Sequence, residues 1–323
     1  MTLDLKTALK YLILFLIGMG VLYLAFRGQD LGKIWEEIKG ADFFWVIASS
    51  FAVWIAHVLR ALRWRMLYRS IHYKVGFWNA YHAVIIGYLA NLALPRFGEL
   101  GRCSVISRTE KVPMFAAIGT VITERLFDVL VLFSTALAML VFQYGIVSDF
   151  LYHAIYRNVA NKLSALNYFW LVSFGLVALL LILLAAYFLK QKLSKKMLRI
   201  FVNLREGFGS YGKLQQKSLF LVYTLGIWLF YYLSVYLAFS AIPATVNMPY
   251  QAAFTAIVFS GFAMAAPVQG GIGVFHWMVA QSLVLYGVSF KDGLAYATII
   301  HSAQVLLILV LGSLSLVRVF FKR

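Results

Sequence analysis

The sequences PRFGELG, at residues 95–101, and PVQGGIG, at residues 267–273, share the pattern P-x-x-G-x-x-G and interrupt apolar stretches of the chain. Proline removes a backbone donor from a helix, and glycine adopts backbone conformations that other residues avoid. Each sequence therefore predicts a break between two helical segments. Within a bilayer, such a break leaves N–H and C=O groups that only protein or a water-filled cavity can satisfy.

The composition of the chain places these breaks in a membrane. Of its 323 residues, 63% are hydrophobic and only 13% are charged, whereas a soluble domain is about 45–50% apolar and about 25% charged. This excludes a water-soluble enzyme and predicts a single transmembrane domain over residues 1–323. The single Cys103 excludes an intrachain disulfide, and no Cys and His residues have the spacing of a metal site.

The apolar runs of the chain do not fit a simple alternation of crossings. They fall at Thr7–Phe26, Phe43–Leu59, Phe77–Leu94, Met114–Val141, Tyr168–Leu189, Ser218–Ile242, Ala252–Pro267, Ile272–Val288 and Leu294–Val317. Basic residues mark the cytoplasmic side of membrane proteins, which puts segments 60–74 and 190–217 inside. Three runs lie between these segments. Because both segments are inside, an odd number of full crossings between them is impossible, so one of the runs must turn back. The run that stops at Pro95 is the candidate.

The same count predicts a second hairpin around Pro267. We therefore predict an all-α polytopic membrane protein with six full transmembrane helices and two re-entrant helical hairpins. The order span, span, hairpin, span occurs in residues 1–145 and again, with opposite orientation, in residues 165–323, which is an inverted-topology repeat. Both termini are then cytoplasmic. Most of the net charge of +17 follows from this orientation, so we do not expect a nucleic-acid partner.

The two breaks supply a first set of candidate binding residues. A half-helix that begins near Gly98 or Gly270 directs free N–H groups and a positive dipole end into the cavity, which favours an anion such as phosphate. Glycine also lets a ligand approach the backbone. The alternative for the charged residues of the first break is a loop at the inner surface. The candidates are Arg96, Gly98, Glu99, Arg102, Gly270, Gly271 and Gly273.

Charged residues inside an apolar run supply the second set. Glu124, Arg125 and Asp128 share one face of a helix, where an unpaired charge costs several kcal/mol. They are either an ion pair that holds the helices together, or a site in which Arg125 binds an anion and a carboxylate carries a proton or receives an amine. His301 and Gln304, one turn apart, are further candidates, although such pairs also serve as hydrogen bonds between helices.

Three motifs together resemble a known family. In order along the chain they are Asn91-x3-Pro95-x2-Gly98-Glu99-x2-Arg102, Glu124-Arg125-x2-Asp128 and Pro267-x2-Gly270-Gly271-x-Gly273. They resemble the lysylphosphatidylglycerol synthase transmembrane region, or flippase-like domain, family over essentially the whole chain. The resemblance implies a bacterial or archaeal inner-membrane protein that handles anionic, phosphate-bearing lipids. It covers no soluble aminoacyl-transfer domain, so we expect no lipid lysylation, and Phe275-His276 stands where the family often has Arg-Glu.

These observations predict a lipid translocator rather than a chemical catalyst. Its expected partner is an anionic phospholipid or a polyprenyl-phosphate lipid, whose head group enters a polar cavity between the two hairpins. Two alternatives remain open: a membrane-embedded transferase that uses Glu124 or Asp128 as its base, and a small-anion secondary transporter. We expect no cofactor, because the glycine-rich stretch 207–214 lacks the Ser or Thr of a nucleotide-binding loop. The sequence leaves a homo-oligomer open.

Overall fold

The computed structural model describes residues 31–94, 96–146 and 209–321, together with five positions of the first apolar run: Leu16, Met19, Tyr23, Phe26 and Arg27. Every regular element within these residues is a helix. The predicted span Tyr168–Leu189 and most of the predicted span Thr7–Phe26 lie outside the described residues. The all-helical class of the prediction is confirmed for the described ranges.

The described helices follow one another with short connections. They are α1 (Leu31–Lys39), α2 (Phe43–Ser70), α3 (Phe77–Ala93), α4 (Gly98–Glu110), α5 (Met114–Phe142), α6 (Lys217–Phe239), α7 (Tyr250–Ala265), α8 (Val274–Val284) and α9 (Phe290–Phe321), with a single 3-10 turn at Gln269–Gly271. Four of them, α2, α5, α6 and α9, are long and apolar enough to cross a membrane. These four coincide with four of the six predicted spans.

Helix α2 is longer than the apolar run from which it was predicted. The run ends at Leu59, but the helix continues to Ser70, so that Arg60 and Arg63 lie inside the helix and are buried. The prediction that these two arginines belong to the cytoplasmic segment 60–74 is therefore wrong. They can be buried because carboxylates on α5 neutralise them, which removes most of the cost of an unpaired charge.

Two helix pairs are interrupted where the shared motif predicts a break. Helix α3 ends at Ala93 and α4 begins at Gly98, while α7 ends at Ala265 and the 3-10 turn and Gly273 precede α8. A residue at each break has a left-handed backbone, Arg96 with φ 60° and Gly270 with φ 56°. Glycine adopts this conformation without strain, whereas an arginine there requires support from its surroundings.

Each interrupted pair returns to the end of the bundle from which it started. At the start of α3, the Gly76 N–H donates to the Glu110 carboxylate at the end of α4, at 2.8 Å. At the start of α7, the Gln251 carbonyl accepts from the Tyr286 hydroxyl, which follows α8, at 3.2 Å. Both pairs are therefore hairpins of two helices that bend at the break.

Helices α2 and α6 form an antiparallel pair on which the hairpins pack. The hydroxyls of Ser49 and Ser234 lie 2.9 Å apart near one end of the pair, and the Arg63 guanidinium donates to Thr224 at 3.1 Å towards the other. Beyond Ser234, the Asp42 N–H donates to the carbonyl of Ala241. This pairing brings the C-terminal half of α2, with its arginines, into the interior of the bundle.

Candidate anion site

A cluster of six charged side chains lies where α2, α4 and α5 meet. The arginines come from three helices, and both carboxylates come from α5. Because the residues lie on different helices, the cluster also connects the long helix α2 to the first hairpin. Its members are Arg60 and Arg63 of α2, Arg102 of α4, and Glu124, Arg125 and Asp128 of α5.

The Glu124 carboxylate is at the centre of this cluster and is fully buried. It accepts from Arg60 at 2.7 Å, from Arg102 at 3.1 Å and from Arg125 at 3.2 Å. The Asp128 carboxylate, one turn further along α5, accepts from Arg60 at 2.7 Å and from Arg63 at 2.8 Å. Arg60 thus bridges the two carboxylates, and each carboxylate has more than one counter-charge.

The cluster contains more positive than negative charge. Four guanidinium groups face two carboxylates, so the six side chains carry a net charge of +2. Several buried guanidinium nitrogens have no hydrogen-bond partner among the described residues; they are Nε of Arg60, Arg63 and Arg125 and Nη2 of Arg102. Buried donors and buried charges are costly when they are left unpaired. An anion bound here would reduce both costs.

Aromatic side chains hold two of these guanidinium groups in place. The Arg102 guanidinium lies 4.6 Å from the centre of the Trp64 ring, and that of Arg63 lies 5.6 Å from the Phe220 ring. Trp64 is itself anchored by a hydrogen bond to Thr120 at 3.0 Å. Contacts between cations and aromatic faces stabilise a guanidinium that has left water, so these rings fix the arginines without using up their N–H donors.

Sequence reasoning missed Arg60 and Arg63, although a signal for them was present. Neither proline nor glycine occurs between Phe43 and Arg69, so nothing in the sequence ends the helix at Leu59. The two arginines are three residues apart and therefore share a face, as Arg125 and Asp128 do. An unbroken helix with two arginines on one face can pair with the two acids on α5. This pairing was missed because basic residues after an apolar run were assigned to the cytoplasmic side.

The two breaks contact each other. The Arg96 guanidinium donates to the carbonyl of Ala265, the last residue of α7, at 2.8 Å. In return, the Gln269 amide donates to the carbonyl of Ala93, the last residue of α3, at 3.4 Å. A ring nitrogen of His301 on α9 lies 2.8 Å from the Gly270 carbonyl. Arg96, Gly270 and His301 therefore form one group at the junction of the hairpins.

The remaining candidates take other positions. Gly271 and Gly273 have left-handed backbones, with φ 78° and 80°, and lead the chain into α8. Gln304 is half-buried on α9 and makes no side-chain hydrogen bond to another described residue. Glu99 and Arg125 both line a groove between α4 and α5. Of the described residues, no three His, Cys, Asp or Glu side chains are grouped so that they could hold a metal ion.

Gly98 has a different environment from the one expected of an open anion site. A Cβ atom at this position would collide with the backbone oxygen of Gly87 and would lie 2.7 Å from the Asn91 side chain. Its N–H donates to the Asn91 carbonyl oxygen at 2.7 Å. The prediction that the Gly98 N–H is free for a ligand is therefore wrong, because Asn91 caps α4 from within the same hairpin.

The sequence is similar to known membrane proteins. The family described as the lysylphosphatidylglycerol synthase transmembrane region matches residues 10–312 of the chain. The UPF0104 membrane protein of Methanocaldococcus jannaschii is 27% identical over 184 residues, which are 56% of this chain and 50% of that protein. The chain thus spans about half the length of this curated relative. No solved structure matches the chain.

The chain belongs to the family of the lysylphosphatidylglycerol synthase transmembrane region, because the match extends over almost its whole length. The predicted family is confirmed. With its apolar helices, it is a multi-pass membrane protein.

Proposed function

From this family membership and the charged cluster we propose that the protein is a translocator of an anionic, phosphate-bearing lipid in the inner membrane. The phosphate binds at the cluster of α2, α4 and α5, and the hydrocarbon chains stay in the bilayer. The partner is a phospholipid or a polyprenyl phosphate. No nucleotide or metal is part of this proposal.

The excess of guanidinium groups in the cluster is the observation that carries the proposal. A cluster with a purely structural role needs only as many arginines as carboxylates, since every further buried charge destabilises the fold. Here two positive charges remain after both carboxylates are counted, and four buried N–H donors lack partners. A phosphate monoester or diester supplies the negative charge and the acceptor oxygens that these donors lack.

The depth of the cluster fits a site halfway across the membrane. Glu124 and Asp128 follow the first residue of α5, Met114, by about three to four helical turns. At about 1.5 Å per residue this places them about 15–20 Å from the start of the helix, near the middle of a hydrocarbon core of about 30 Å. A phosphate bound there has left one surface and not yet reached the other.

We propose that the two hairpins are re-entrant and form an inverted repeat of residues 1–145 and 165–323. The helix starts support this. When 172 is added to the number of the first residue of α2, α3, α4 or α5, the result lies within four residues of the first residue of α6, α7, α8 or α9, respectively. One contact repeats with the same shift, because positions 63 and 124 correspond to positions 235 and 296. Arg63 lies 3.5 Å from Glu124, and the Tyr296 hydroxyl donates to the carbonyl of Val235 at 2.6 Å. The second half thus carries a neutral contact where the first half is charged.

The junction of the hairpins suggests how such a repeat can work. Arg96 and Gln269 each reach across to the last carbonyl of the opposite helix, so the two breaks make equivalent contacts from opposite sides. Repeats of this kind alternate between two states that open to either side of the membrane. We propose that the contacts between the breaks close the path on one side, and that both termini face the cytoplasm.

The embedded-transferase alternative has less support from the geometry. A general base has to take up a proton from its substrate. Glu124 and Asp128 are each held by at least two guanidinium groups at 2.7–3.5 Å, and such neighbours stabilise the negative carboxylate over its protonated form. Both carboxylates are therefore better suited to position arginines than to accept a proton.

The proposal is tested with purified protein in liposomes that contain a fluorescent lipid in one leaflet. We expect faster crossing of an anionic phospholipid or polyprenyl phosphate than of a neutral lipid. Arg63→Gln keeps a donor for Thr224 but removes a positive charge, and should remove the difference between the lipids. Arg69→Gln, at an exposed position of the same helix, is the matched control and should retain it.

Four results would contradict the proposal. Equal rates of lipid crossing in empty and protein-containing liposomes would show that the protein does not translocate lipid. Loss of activity in Arg69→Gln as well as in Arg63→Gln would show that the effect is not specific to the cluster. Chemical conversion of the lipid, measured by mass spectrometry, would favour the transferase. Uptake of free inorganic phosphate with no movement of lipid would favour the small-anion transporter.

A further inference from the structure

A groove runs between α4 and α5 on the outside of the described bundle. Its volume is about 420 Å³, which lies in the range of small-molecule sites, about 300–1,000 Å³. Leu100 on α4 and Ile122, Leu126 and Val129 on α5 line it and are exposed. In the part of the chain that the structure describes, this groove is open at the surface of the bundle, and its apolar lining suits the hydrocarbon of a membrane.

Two charged residues lie in the wall of this otherwise apolar groove. Arg125 makes ion pairs with Glu124 at 3.2 Å and Asp128 at 3.5 Å, yet 40% of its side chain is exposed. It therefore connects the buried cluster to the groove. The other residue is Glu99, one of whose carboxylate oxygens is buried without a hydrogen-bond partner among the described residues.

Both charged residues lie far from the end of the bundle at which α4 ends and α5 begins. Glu99 is the second residue of α4, which runs from the break to Glu110 at the end of the bundle. Arg125 is about three turns from the start of α5, or about 16 Å at 1.5 Å per residue. A charged group at this depth is costly unless a partner reaches it, and the groove offers such a partner a route that never leaves the lipid phase.

We infer that this groove is the side entrance through which the lipid reaches the cluster. The inference rests on the proposed function and locates the path at the α4–α5 face rather than between the two hairpins. One hydrocarbon chain of the lipid lies along Leu100, Ile122 and Val129, and the phosphate meets Arg125. Glu99 accepts a hydrogen bond from a hydroxyl or ammonium group of the head group, next to the phosphate.

Charge complementarity favours a lipid over an apolar peptide as the occupant. A transmembrane peptide would fill the groove with side chains but would leave Nε of Arg125 and one carboxylate oxygen of Glu99 without a hydrogen bond, which is unfavourable in the bilayer. A lipid whose head group carries both a phosphate and a donor satisfies both. Phosphatidylglycerol has this chemistry, whereas phosphatidylmethanol has the same charge and no head-group hydroxyl.

The entrance is tested by blocking it. In a Cys103→Ala background, Ile122→Cys places a thiol in the groove wall, and Leu137→Cys places one on the same helix outside the groove; their parent side chains are 43% and 62% exposed. After reaction with a bulky maleimide, we expect at least a tenfold loss of lipid crossing for Ile122→Cys and less than a twofold change for Leu137→Cys. Equal effects of the two labels, or no effect at Ile122, would overturn the inference.

Photo-crosslinking separates this inference from the proposed function. A phospholipid with a diazirine in its acyl chain should label α4 and α5 at the groove, and blocked Ile122→Cys should lose the label even if no lipid crossing is detected. If the groove is labelled but no lipid crosses the membrane, the entrance is supported and the proposed translocation is contradicted. If lipid crosses the membrane but the groove is not labelled, translocation is supported and the entrance is contradicted.

The role of Glu99 has its own test. The parent protein should move phosphatidylglycerol several-fold faster than phosphatidylmethanol, and Glu99→Leu should reduce this ratio to about one while still moving phosphatidylmethanol. Ser104→Ala, at an exposed position of the same helix that does not line the groove, should keep the ratio. An unchanged ratio in Glu99→Leu would show that Glu99 does not bind the head group.

Discussion

Arg125 and Asp128 belong to one ion-pair cluster but differ in how much of the fold depends on them. The side chain of Arg125 is 40% exposed, and its two carboxylate partners keep Arg60, Arg63 and Arg102 when it is removed. The side chain of Asp128 is only 11% exposed and neutralises two buried guanidinium groups. Exposure and the number of remaining partners therefore separate a binding residue from a structural one.

We predict that Asp128→Asn destabilises the protein strongly, by about 3–5 kcal/mol, because it leaves Arg60 and Arg63 with only Glu124 to neutralise them. Arg125→Gln should cost about 1 kcal/mol or less, as for a partly exposed ion pair, and yet slow the crossing of anionic lipid. Thermal unfolding in detergent and the liposome assay measure the two effects. If Arg125→Gln unfolds as early as Asp128→Asn, Arg125 is part of the scaffold and not of the site.

At the scale of elements, the first hairpin depends on a close approach between α3 and α4. Gly98 lies against the backbone oxygen of Gly87, and its N–H is bound by Asn91. Gly101, one turn further along α4, has more room, since a Cβ there would lie 3.6 Å from the Cβ of Ala90. Both glycines lie on α4, but another backbone approaches closely only at Gly98.

We predict that Gly98→Ala lowers the stability of the protein by about 1–3 kcal/mol or prevents its folding, because the added methyl forces α3 and α4 apart. Gly101→Ala should be neutral or slightly stabilising, since alanine favours a helix by about 1 kcal/mol over glycine. Yield and melting temperature of the purified variants measure this. Equal melting temperatures would mean that the hairpin tolerates a wider separation.

At the scale of the whole molecule, the contacts between the ends of the helices define two ends of the bundle. Glu110 binds the start of α3 at one end. At the other, Gln143 at the end of α5 donates to the Gln251 carbonyl at the start of α7. The inverted repeat that we propose puts these ends on opposite faces of the membrane, and we expect the basic end to be inside.

We predict that Lys74→Cys and Lys111→Cys react with an impermeant maleimide only from the cytoplasmic face, and that Glu37→Cys and Val246→Cys react only from the outer face. Lys74, Lys111 and Val246 are exposed and Glu37 is partly exposed, so each label reports the side of the membrane and not the burial. Labelling of intact cells and of inverted vesicles makes the measurement. If the labels at positions 74 and 111 react from opposite faces, the first re-entrant hairpin and the inverted repeat are contradicted.

The sequence by itself determined the class of the protein and the positions of its breaks. Proline and glycine act on the backbone locally, so the shared motif indicated where α3 and α7 end. The 3.6-residue period of a helix was enough to place Glu124, Arg125 and Asp128 on one face. The family followed from the same motifs. Each of these features is encoded in residues near one another in the chain, which is why a pattern could reveal them.

Only the tertiary structure decided which charges meet. Arg60 and Arg63 are more than sixty residues away from Asp128, and a basic segment after an apolar run has the same composition whether it faces water or a buried carboxylate. The contact between the breaks, the packing of Gly98 on Gly87 and the groove beside Arg125 likewise depend on how helices pack. Their partners are distant in sequence, and the free energy that selects them comes from burial and ion pairing between elements, which no local pattern contains.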